Sequence, residues 1–104
     1  MIKIETKAVK DIILPAYVKI GATKHIITRT PMADQGNILF LRGKILINDE
    51  LCQEKAEEAV CHEIVEGWND LYNLKLKHRK IQIIGNALHQ LLKDNDLSSM
   101  SGEE

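Results

Sequence analysis

The sequence predicts an α+β fold: a small, mostly antiparallel sheet followed by two packed helices. Runs rich in β-branched residues, separated by turn formers, occupy residues 17–47. Apolar residues at helical spacing then occupy 51–72 and 78–93. The change of period falls at Asn48-Asp49-Glu50, whose capping oxygens and acidic side chains suit a helix start.

The elements follow in order. Ile2 and Ile4 alternate with Lys3 and Glu5, as in a short strand, and Pro15 interrupts any helix begun by Ile12-Ile13-Leu14. Tyr17-Val18-Lys19-Ile20 and His25-Ile26-Ile27-Thr28 form a hairpin across Gly21-Ala22-Thr23-Lys24. Residues 29–37 concentrate turn formers and read as an exposed loop. Ile38-Leu39-Phe40-Leu41 and Lys44-Ile45-Leu46-Ile47 flank Arg42-Gly43 in a second tight hairpin. On the first helix Ala56, Val60, Ile64, Trp68 and Leu71 share an apolar side, with Lys55, Glu58, Ala59, His62, Glu66, Asn69 and Asn73 opposite. The second helix carries Ile81, Ile84, Leu88, Leu91 and Leu92 as its stripe. Residues 1–94 form a single domain, and 95–104, with Ser, Gly and acids, read as a disordered tail.

Composition excludes several classes of function. The 104 residues are 44% hydrophobic and 28% charged, as in a globular protein. Fourteen Lys and Arg against 15 Asp and Glu leave a net charge of −1, so no nucleic-acid partner is expected. The four aromatic residues, Tyr17, Phe40, Trp68 and Tyr72, offer little base-stacking surface. No apolar run approaches the ~20 residues of a membrane span, so no membrane partner is expected. The first residues lack the zones of an export signal, and on one helix Cys52 and Cys61 would stand ~13 Å apart, too far to bridge. Two reduced thiols point to the cytoplasm, and both cysteines read as buried small hydrophobes.

The segment Cys61-His62-Glu63-Ile64-Val65-Glu66 carries the chemistry. His62 and Glu66, four apart, project from consecutive turns of one helix face and can grip one metal ion. Glu63, turned about 100° from His62, can reach a water on that metal but not the metal itself. This is the logic of H-E-x-x-H with Glu in place of the last His. A solvated polar face with a surface histidine fits the same residues. Catalytic zinc needs a third protein ligand. His78, at the start of the second helix, could approach the His62/Glu66 face; His89 lies three turns further along, so only one of them can serve. Asp70 is a further candidate, better suited to orienting a ligand. Trp68 and Tyr72 read as packing residues, and Lys75, Lys77, His78, Arg79 and Lys80 as a solvated basic group at the first helix's C-terminus.

Residues 43–95 resemble the minimal, single-domain zincin-like proteins of phages and prophages, related to the ImmA/IrrE-type metallopeptidases. The resemblance rests on the strand Lys44-Ile45-Leu46-Ile47, the polar turn Asn48-Asp49, the Cys-led His62-Glu63 motif and Ala87-Leu88-His89-Gln90-Leu91-Leu92-Lys93-Asp94-Asn95. It covers about half the chain; the N-terminal sheet agrees only in outline. The resemblance implies a zincin-like domain with His62 as zinc ligand and Glu63 as general base. Glu66 departs from the family's usual second His, and His78 stands near the place of the family's third ligand, often a carboxylate. A His62/Glu66/His78 set would keep two imidazoles and one carboxylate around zinc.

Three readings of function remain open at this point. One is a zinc-dependent metallopeptidase holding an extended peptide along residues 38–41 or 44–47 by strand addition. Another is an inactive zincin-like binding module that acts on a protein partner, in phage counter-defence or regulation. The last is a zinc-stabilised structural domain.

Overall fold

The computed structural model describes residues 11–101. The strand expected around Ile2 and Ile4 and the end of the expected tail, 102–104, lie outside the described residues. Four strands precede two helices: β1 (Tyr17–Ile20), β2 (Thr23–Thr30), β3 (Gly36–Leu39), β4 (Lys44–Asn48), α1 (Gln53–Leu71) and α2 (His78–Asp94). A single 3-10 turn, Ser98–Ser101, follows α2. The α+β architecture is therefore the one the sequence predicts.

β1 and β2 form the first expected hairpin, with Ile20 opposite Thr23 and Gly21 at φ +61 in the turn. β3 and β4 form the second antiparallel pair, but not across a tight Arg42-Gly43 turn: β3 ends at Leu39, and Phe40 and Leu41, expected in the strand, lie in a short 3-10 helix, Phe40–Arg42. Gly43, at φ +63, closes that connection; a Cβ there would lie 2.8 Å from the Lys24 carbonyl oxygen. The sheet order is β1-β2-β4-β3. β4 runs parallel to β2, pairing Ile27 with Ile45 and Arg29 with Ile47, so the sheet is mixed, with two antiparallel pairs and one parallel pair. The expected hairpins did not reveal this central pairing. It encloses β4 on both edges and leaves Ile45 and Ile47 fully buried.

α1 lies between the sheet and α2. Toward the sheet it presents Ala56, Ala59 and Val60, which pack with Ile20, Ile45 and Ile47, and Trp68 covers the margin of this core. Gly67 permits the contact: a Cβ there would meet Ile20 Cδ1 at 2.7 Å. Ala59, expected on the polar face, is thus in the core. Toward α2, α1 presents Cys61 and the backbone of His62, against which Gly85 packs.

Four further expectations are corrected at the helices. α1 starts at Gln53 with Cys52 as N-cap and no side-chain cap; Asn48 instead braces the preceding loop, as described below. Cys52 is exposed, since the N-cap lies outside the packed turns, whereas Cys61 is buried. Tyr72, at the C-cap, is exposed. On α2 the buried residues are Ile81 and Gly85, while Ile84, Leu91 and Leu92 are 38%, 45% and 53% exposed. A glycine allows the closest approach, so α2 turns that side to α1 and only part of its apolar arc is covered.

Candidate metal centre

His62 and Glu66 stand one turn apart on α1, with His62 Nε2 3.4 Å from Glu66 Oε2. The close helix packing at Gly85 brings the first residue of α2 to them. The His78 ring lies 5.2 Å from the His62 ring, centroid to centroid, inclined by 56°. One ligand atom from each of His62, Glu66 and His78 falls within 4.8 Å of the others. A tetrahedral site with metal–ligand bonds of ~2.0–2.1 Å separates its ligand atoms by about 3.3 Å. The His62–Glu66 edge already has that length. Two imidazoles and a carboxylate form a donor set that suits a divalent first-row ion, and three of them leave a coordination position open.

The other candidates lie outside this group. His89 Nε2 bonds Glu57 Oε1 at 2.9 Å, and the Lys93 ammonium reaches the same oxygen at 3.0 Å. Burial works against the charged form of Glu57. Hydrogen bonds from His89, Gln53 and Lys93 outweigh it and hold its pKa at about 2. Asp70 is exposed and lines an adjoining hollow with Ile38, Phe40 and Asn73, outside the ligand group. Burial, reinforced by Glu57 and Glu58, pushes the Cys61 thiol up to about 11, so it is a poor thiolate and a poor metal ligand. His25 is fully buried, its Nδ1 bonded to the Thr23 carbonyl and its ring against Phe40.

Glu63 is 6% exposed, between α1 and β3. Its Oε2 would be 3.2 Å from a Cβ built on Gly36, so the carboxylate rests directly on the strand backbone. Burial, then the charges of Glu66 and Asp34, push its pKa up to about 7. A carboxyl poised there can both accept and release a proton near neutrality. Glu63, His62, Glu66 and His78 line one cleft of about 530 Å³, whose opposite wall is Asp34–Asn37.

That wall was not foreseen in the sequence, where 29–37 reads only as an exposed loop. In the structure Arg29 and Thr30 belong to β2, and Gly36 and Asn37 begin β3. Asn48 holds the wall in place: its Nδ2 donates to the carbonyls of Met32 and Asp34, each at 3.0 Å, and its Oδ1 accepts from the Glu50 N–H at 2.8 Å. Among the described residues β3 is the outer strand of the sheet, with no strand on the side away from β4. β4 is interior, so residues 44–47 have no edge for an added peptide.

The basic residues Lys75, Lys77, Arg79 and Lys80 are exposed. Asn69 braces the turn between the helices, its Oδ1 accepting from the Leu76 N–H at 2.8 Å. No helix among the described residues is long and apolar enough to cross a membrane.

The chain matches no protein-family model, no curated protein and no solved structure.

Proposed function

We propose that this chain is a zincin-like, zinc-dependent peptidase, with zinc held by His62, Glu66 and His78 and with Glu63 as general base. The observation that carries this reading is the placement of a buried carboxyl, Glu63, in the same cleft as a three-ligand group and beside an open strand edge. A divalent ion there would supply Lewis acidity to a scissile carbonyl and acidify a water.

The remaining work belongs to the chain's own residues. The outer edge of β3 offers main-chain groups to an extended protein segment, which positions one of its peptide bonds above α1. Glu63 accepts the proton that water gives up as its oxygen adds to the carbonyl carbon. When the C–N bond breaks, Glu63 returns that proton to the departing amine. Its raised proton affinity suits both halves of the transfer.

The test is Glu63→Gln, assayed on unfolded casein with zinc supplied. Cleavage should fall by at least about 10²-fold, with zinc content and melting temperature preserved. Wild-type protein that holds zinc but cleaves nothing, or a Gln variant as active as wild type, overturns the peptidase reading. The first of these outcomes leaves a zincin-shaped binding module.

A further inference from the structure

We propose that the outer face of α2 is an interface between two copies of this chain, packed antiparallel about a two-fold axis near Ala87. The face lies away from α1. Lys80, Ile84, Ala87, Leu91 and Asp94 follow a 4-3-4-3 spacing, which places them on one strip of the helix, and all five are exposed. Ile83, 54% exposed, widens the strip. Contiguous exposed apolar surface of this kind, bordered by charge, marks an association site in a way that scattered exposed leucines do not.

The charges select the occupant. The first turn of α2 holds His78, Arg79 and Lys80 and no acid, and Lys77 caps it without a side-chain bond. Asp94 ends the helix, and Asp96 follows. Each of these charges opposes the dipole of its own helix. An antiparallel second copy reverses the relationship, bringing its acidic end to this basic end and its basic end to this acidic end. About an axis near Ala87, Ile84 faces Leu91 of the second copy, and Lys80 faces Asp94 of the second copy. The two-fold repeats both pairings. The small Ala87 lets the helices close at the centre. Lys93 is outside this scheme because it is paired with Glu57, and Asp94 already accepts one bond from Gln90 Nε2 at 3.1 Å. The chemistry of the cleft is on the other side of α2, where His78 meets His62, so association and metal binding are separable.

One helix of 17 residues, ~25 Å long, gives an interface at the small end of the specific range, and the dimer dissociates at about 1–100 µM. Sedimentation equilibrium on the full chain tests it, with Lys80→Glu, Asp94→Lys, the double variant and Leu91→Asp beside wild type. Each single charge reversal should weaken association about tenfold, and the double variant should return to within about threefold of wild type. Leu91→Asp should be monomeric with unchanged zinc content. A wild type that stays monomeric at several hundred micromolar overturns the proposal. A dimer in which the double variant shows no recovery overturns the antiparallel arrangement.

Discussion

Gly85 of α2 rests directly on the backbone of His62 in α1. A Cβ at position 85 would lie 3.1 Å from His62 Cα and 3.3 Å from its nitrogen. Side-chain ends can move aside, but a helix backbone cannot, so any larger residue at 85 must push α2 outward. His78 leads α2, and its ring reaches the His62 ring only because the two helices approach so closely here. The placement of the three candidate ligands and the helix packing are thus one geometric fact.

Gly85→Val tests that coupling. Overpacking against backbone should cost about 1–3 kcal/mol of stability, measured by urea unfolding. Zinc affinity should fall at least tenfold, because His78 is displaced while His62 and Glu66 keep their shared helix face. Retained affinity would show that His78 reaches the site independently of this contact.

Asn48→Ala tests the cleft wall. Three hydrogen bonds from one side chain join the end of β4 to Met32, Asp34 and Glu50. Their loss should lower stability by about 1–3 kcal/mol. Amide exchange should quicken through residues 32–36 and remain unchanged in α1.

The Glu57 cluster sets an acid limit on stability. The folded-state pKa of about 2 lies below the ordinary value of 4.5. The unfolded chain therefore binds the proton first, and stability falls as pH falls. The contribution of Glu57 is complete above about pH 5 and is lost progressively toward about pH 2. Glu57→Gln should cost about 1–3 kcal/mol at pH 7 and should flatten that part of the stability profile, as read by thermal melts from pH 2 to 7.

Local patterns in the sequence carried much of the fold. Alternating β-branched runs marked the hairpins, and the apolar period marked both helices to within two residues at each end. The parallel β2–β4 pairing was hidden because it joins segments some twenty residues apart, and no local pattern encodes such a partner. The helix faces were half legible. Ala59 and Glu63 look like parts of a polar or open surface until α1 is seen to lie between a sheet and a helix. In the same way, apolar spacing on α2 marked Ile84 and Leu91 as inward, whereas the glycine at 85 decides which side closes on α1. His62 and Glu66 were readable from their i, i+4 spacing, and the approach of His78 from its place at the head of α2. The Asp34–Asn37 wall was not readable, because the loop's conformation depends on Asn48, a residue whose own sequence context suggests a helix cap.

The measurement that tests the central claim most directly is zinc stoichiometry, by elemental analysis of untagged protein equilibrated with one equivalent of zinc and desalted. Wild type, His62→Ala, Glu66→Ala and His78→Ala are compared, with His89→Ala as a control that spares the ligand group. The His62/Glu66/His78 centre predicts about one zinc per chain in wild type and in His89→Ala, and strongly reduced zinc in the other three. Wild-type protein that retains no zinc, or a His78→Ala variant that holds it as tightly as wild type, would contradict the claim.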